Sequence, residues 1–223
     1  MRFKNREEAA GLLAQKLIKY KGDGPLVLGI PRGAVPMAKI IADAVEGDLD
    51  VVLVHKLRAP GNPESLIGAM DEYGHIYWRG ITHMPDLSDA YLAEKKERQV
   101  NLLRERRVRY SGVHPPADPS GRIVIIVDEG IATGASMIAA LHSVRAKWPK
   151  KVVVAAAVAS YQSFKRIQQW ADEVVCLHVP EDFYAIGEFF EAFPPVSDEE
   201  VIATLRQSRS ESNEANHINE MSI

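Results

Sequence analysis

Residues Arg122–Ser136, RIVIIVDEGIATGAS, decide the fold. The apolar run Arg122–Val127 reads as a strand covered on both faces. It ends in two adjacent carboxylates, Asp128 and Glu129. A loop of small residues, Gly130-Ile131-Ala132-Thr133-Gly134-Ala135-Ser136, then opens directly into a helix expected over 135–147. A strand, a small-residue loop and a helix in that order make an anion site, because unpaired backbone N–H groups and the positive end of the helix dipole face the loop. Gly134 and its small neighbours let the backbone approach a phosphate closely. The hydroxyls of Thr133 and Ser136 add donors. The two carboxylates would repel a phosphate that they faced, so they suit the vicinal hydroxyls of a polyol, and they have the chemistry to help hold Mg²⁺ directly or through water. A Walker-type phosphate loop is excluded, since no Gly-Lys-Ser/Thr follows. The competing reading, a glycine-rich junction shaped by packing alone, does not require two acids and two hydroxyls in this order.

Working outward, the same alternation extends in both directions. Upstream, Asn5 caps a first helix to about Tyr20, Leu26–Ile30 is a buried strand, Pro31-Arg32-Gly33 a tight turn, 35–45 a helix and Leu49–Val54 a second buried strand. Downstream come a strand at 152–158, a helix at 162–171, a strand at 173–179 and a helix from Ser197 to about Arg206. Alternating strands and helices predict an α/β fold, a twisted, mostly parallel sheet flanked by helices with its site at the carboxyl ends of the strands. Residues 57–120 interrupt the pattern. They read as an inserted flap, a small hairpin or extension, and a long helix from Ser88 to about Arg109, closed by the breaker-rich loop HPPADPSG. The expected organisation is one domain over 1–206, and a polar, disordered tail over 207–223.

Composition narrows the function class. The 223 residues carry a net charge of -3, which argues against a general nucleic-acid or membrane-surface binder. No stretch is apolar for long enough to span a bilayer or act as a signal peptide. The single cysteine, Cys176, fits a reducing compartment, and a cytoplasmic protein is expected. His55, His75, His83, His114, His142 and His178 show no metal-ligand spacing. The basic run from Lys95 to Arg109 includes Glu97 and Glu105, and reads as the solvated face of a helix.

The strand, acidic pair and Thr-Gly-Ala-Ser loop resemble the signature of the type I phosphoribosyltransferases, which bind 5-phosphoribosyl-1-pyrophosphate (PRPP). The resemblance implies that Asp128 and Glu129 hold the ribose hydroxyls and that Ala132, Thr133, Gly134, Ala135 and Ser136 hold the 5′-phosphate. Glu129 stands where Asp is common in the family. It also implies that Pro31-Arg32-Gly33-Ala34 contacts pyrophosphate, with Arg32 a planar phosphate donor and Gly33 permitting the turn. The run HKLRAPGNPESLIGAM from His55, and the opening with Phe3, Arg6 and Ala10-Gly11, are similar to a predicted bacterial subgroup of this family. From that subgroup Lys56 is carried over as a site residue, and Arg58 only weakly. Phe183 and Tyr184, after the last strand, are placed where such enzymes complete the acceptor pocket, although aromatics at this spacing also serve as plain core. The implied activity is Mg²⁺-dependent transfer of the phosphoribosyl group to an unidentified, nitrogenous acceptor, by a protein of the homodimer-forming kind. The alternatives are a PRPP-binding regulator without turnover, and a hydrolase with water as acceptor.

Overall fold

The computed structural model describes residues 1–59, 62–78, 89–112 and 116–208, with only the backbone for 63–65, 89–95 and 111. The expected cap at Ser88, the first residues of the loop after the long helix and the tail beyond 208 lie outside the described residues. The elements in chain order are α1 (Arg6–Leu17), β1 (Leu26–Gly29), α2 (Ala34–Val45), β2 (Asp48–Val51), β3 (Val54–Ala59), β4 (Asn62–Asp71), β5 (Ile76–Trp78), α3 (Asp89–Ser111), β6 (Ile123–Ile131), α4 (Ala135–Arg145), β7 (Lys151–Ala159), α5 (Tyr161–Ile167) and β8 (Glu173–His178). A last helix, α6, occupies residues 198–208.

Five strands form a parallel sheet in the order β2-β1-β6-β7-β8. The apolar runs are unbroken because both faces of this sheet are covered. Along β6, Ile123, Ile125 and Val127 pack into one cluster with α1 and α2, while Val124 and Ile126 pack into another with α4. β7 divides in the same way, Val153 and Ala155 to one side, Val152 and Val154 to the other. Helix caps follow the sequence signals. The Asn5 side chain accepts from the Glu8 backbone N–H at 3.0 Å. Ser197 and Glu200 form a reciprocal capping box that starts α6. That helix runs through Ser208, taking in the first two residues of the expected tail.

The expected strand Leu49–Val54 is two strands in two sheets. β2 ends at Val51, and Val54 pairs instead with Asp71 in an antiparallel three-stranded sheet of order β3-β4-β5. An apolar run reports burial but not the sheet to which each residue belongs, so the insertion begins at 54 rather than 57. β6 likewise continues to Ile131, which puts Asp128 and Glu129 inside the strand rather than after it. At the β4–β5 turn the buried Asp71 carboxylate accepts from the Tyr73 and His75 backbone N–H groups, and Gly74 takes a φ of 86°.

The insertion is fastened to the core through α3. Arg107 donates to Glu72 at 2.7 and 2.8 Å, to the Val51 carbonyl at 2.9 Å and to Asp50 at 3.3 Å. One guanidinium thus joins α3, the β4–β5 turn and the end of β2. Further along the helix, the Tyr110 hydroxyl donates to Asp198 of α6 at 2.6 Å. Arg107→Ala leaves two poorly exposed carboxylates without their cation, and is expected to cost about 3 kcal/mol, read as a lower urea midpoint.

Candidate functional site

β1 and β6 are neighbours, yet the chain leaves them in opposite senses. α2 returns from β1 to β2 over one face, and α4 leads from β6 to β7 over the other. At such a switch point the strand ends part and open a crevice. A cleft of about 520 Å³ lies there, with Ile30 and Pro31 from the β1 turn, and Asp128, Glu129 and Gly130 from β6. The insertion supplies the facing wall, His55, Lys56, Leu57 and Arg58 from β3, Ile67 from β4 and Gln99 from α3. Ser136 and Ile186 complete it.

Glu129 is tightly held. Its Oε1 accepts from Arg6 Nε at 2.5 Å. Arg6 also donates to the Pro194 carbonyl at 2.8 Å, and lies 4.0 Å from the Phe193 ring centroid. The glutamate carboxylate occupies the space that a β-carbon at Gly33 would need. Gly33 itself has φ -63° and ψ -26°, a conformation open to any residue. The turn itself does not demand glycine, whereas any β-carbon there would have to displace the acid packed over it. The bond preceding Arg32 is a cis peptide.

Asp128 accepts from the Glu129 backbone N–H at 2.8 Å. Burial pushes its carboxyl up to about 7, and the Glu129 charge adds to the rise, while Lys56 and the backbone N–H groups of Glu129 and Gly130 oppose it. The fold thus holds an acid that resists ionisation at neutral pH.

Beyond the acids, Gly134 has φ 78°, which a glycine adopts without strain, and it caps α4 with no side-chain bond and no acid in the first turn. The end of the helix therefore keeps its positive character. Ser160 and Ser163, which the sequence reading did not single out, both donate their hydroxyls to the Ala132 carbonyl, at 2.7 and 2.8 Å. They brace the loop from β7 and α5. Ala135 is buried against Ala69 and Ala139, so its side chain packs the insertion onto α4.

The expected residues divide accordingly. Asp128, Glu129, Lys56, Arg58 and Ser136 line the cleft, and Thr133 and Gly134 belong to the loop that leads into α4. Arg32 is exposed and outside the cleft lining. Phe183 packs at 5.4 Å from Phe189, and Tyr184 is 82% exposed, so neither ring reaches the cleft wall, where Ile186 stands instead. Arg6 and Gln99 are the additions. Arg6 was visible only as part of the resemblance, and Gln99 lies within a helix read as solvated. Cys176 bonds the His178 carbonyl at 3.3 Å, and burial pushes its thiol up to about 11, which makes it an inert residue of β8.

Comparison with known proteins gives a consistent result. Residues 3–191 match the profile of the phosphoribosyl transferase domain. Two Mycobacterium tuberculosis proteins, from strains CDC 1551 and H37Rv and provisionally named phosphoribosyl transferases, are 36% identical over 217 residues. The match covers 97% of this chain but 49% of theirs, so the chain spans about half the length of these curated relatives. The crystal structure of TT1426 from Thermus thermophilus superposes with a TM-score of 0.79 at 44% identity, over 93% of this chain and 99% of that one.

Three substitutions test the geometry. Gly33→Ala drives a methyl group into Glu129, and is expected to destabilise by about 1–3 kcal/mol. In a double-mutant cycle with Glu129→Asp, the pair should cost less than the sum of the singles. For Asp128, a raised folded pKa means that the unfolded chain loses its proton first as pH rises from about 4 towards 7, so stability falls over that window. Asp128→Asn should therefore melt a few degrees above the wild type at pH 8, and the gap should narrow at pH 5.

Proposed function

The chain belongs to the phosphoribosyl transferase domain family, and we propose that its cleft binds PRPP and transfers the phosphoribosyl group to a nitrogenous acceptor. The observation that carries this reading is the meeting, in one cleft, of two carboxylates, a lysine and the start of an uncapped helix, drawn from β3, β6 and α4.

Each group has one task. The N–H groups at the start of α4, with the Thr133 and Ser136 hydroxyls, bind the 5′-phosphate. The bracing of Ala132 by Ser160 and Ser163 fixes this loop, so that binding energy at the phosphate positions the reacting carbon. Asp128 and Glu129 accept hydrogen bonds from the ribose hydroxyls. Arg6 keeps the Glu129 carboxylate oriented. An acceptor nitrogen attacks C1, the bond from C1 to the pyrophosphate oxygen breaks, and pyrophosphate leaves with the electron pair. The nitrogen sheds its proton to water. Lys56 faces the charge that grows on the leaving group, and the Pro31–Gly33 turn lies at that end. Arg32, exposed at the rim, reaches the pyrophosphate only if its side chain turns inward.

The donor set also suits Mg²⁺. Two carboxylates line the cleft, and among the described residues no group of three or more His, Cys, Asp or Glu forms a protein-only cage. Magnesium characteristically uses one or two carboxylates and completes its shell with water and substrate oxygens. When bound, held by Asp128 and Glu129 directly or through water, it supplies positive charge that offsets the leaving pyrophosphate. No helix among the described residues is long and apolar enough to cross a membrane.

Titration calorimetry of PRPP with Mg²⁺ tests the site. The wild type should bind saturably, and Asp128→Ala/Glu129→Ala at least tenfold more weakly. Absence of binding by folded wild type overturns the reading. Pyrophosphate release that needs an added acceptor marks a transferase. Binding without release for any acceptor marks a regulator.

A further inference from the structure

The inward face of α3 carries Gln99, Val100, Leu103, Arg107 and Tyr110, at the spacing of one helical stripe. Val100 and Leu103 are buried in the cluster that contains Leu57 and Ile67. Two of the three polar members have structural partners, Arg107 on Glu72, Asp50 and the Val51 carbonyl, and Tyr110 on Asp198. Gln99 differs. Its Oε1 is buried and accepts no hydrogen bond, the one such side-chain atom among the described residues. It also lines the cleft, alongside the apolar Leu57, Ile67 and Ile186.

A buried amide oxygen without a donor costs a folded protein more than an apolar side chain of the same shape would. A methionine would fit this stripe without that cost. The orphan oxygen makes sense when a ligand supplies the missing donor. The phosphoribosyl donor offers phosphates, which are acceptors and would oppose it. Its ribose hydroxyls are matched by the two acids of β6.

We propose that Gln99 is a specificity-determining residue for the acceptor. Its Oε1 accepts a hydrogen bond from an N–H of a flat heterocycle seated against Leu57, Ile67 and Ile186. The inference rests on the PRPP reading of the same cleft. A neutral amide is a poor base, so Gln99 selects the acceptor and takes no proton from it. Rejection of analogues is strong in such a pocket, because a base without the donor leaves the amide oxygen buried and unpaired.

Gln99→Met keeps the volume and removes the amide, and the test uses three measurements on wild type and variant. In the ligand-free state, the variant should melt at the same temperature or higher. A clear drop would mean that Gln99 serves the fold, and would overturn the proposal. PRPP affinity with Mg²⁺ should stay within twofold, and failure of the wild type to bind would sink the PRPP reading rather than this one. Pyrophosphate release is then followed with hypoxanthine, guanine, xanthine, adenine, uracil and orotate as probes. The expected result is release by wild type with at least one probe carrying a ring N–H or amino donor, and a loss of at least tenfold in kcat/KM in the variant, mostly through KM. Wild type that binds PRPP but releases pyrophosphate with no probe overturns the proposal. So does a variant that ranks the probes as wild type does.

Discussion

Everything at the site depends on the divergence of the chain between β1 and β6. Two parallel neighbours whose crossover helices lie on opposite faces cannot close the space above their carboxyl ends. That space is the cleft, and its floor is whatever each strand carries as it ends. β1 contributes a turn ending in Gly33, and β6 contributes Asp128 and Glu129. The insertion after β2 returns to cover the opening, held down by Arg107 at one point and by the packing of Ala69 on Ala135 at another. Core and insertion are therefore one machine, with the sheet supplying the acidic floor and the insertion a facing wall of basic and apolar side chains.

The core of this arrangement was legible in the sequence, because periodicity and turn chemistry are local. The unbroken run of β6, the acids at 128 and 129 and the small-residue loop before α4 are contiguous, and their chemistry can be read without a fold. Asn5 and Ser197 announced their helices for the same reason. The join between β2 and β3 was not legible. Residues 49–54 are apolar throughout apart from Asp50, and only tertiary pairing shows that Val54 has crossed to a second sheet.

The site residues that escaped the sequence reading share a different cause. Arg6 meets Glu129 across 123 positions, and no local pattern reports such a contact. Ser160 and Ser163 brace a loop that lies nearly thirty residues earlier. Gln99 was hidden by its neighbours, since the charged run around it describes the outer face of α3 and says nothing of the inner one. The aromatic pair Phe183 and Tyr184 stands outside the cleft lining. Its chemistry suited a flat ligand, but the Phe189 ring takes Phe183 and solvent takes Tyr184.

The glutamate packed over Gly33 also constrains how this sequence can drift. A side chain at 33 must push the Glu129 carboxylate aside, away from its bond to Arg6. A lineage that shortens 129 to aspartate first opens that space and keeps a carboxylate on the floor. A lineage that changes 33 first must pass through a misfitted intermediate. The two positions, almost a hundred residues apart, are therefore coupled, and the order that shortens 129 first is the less strained one.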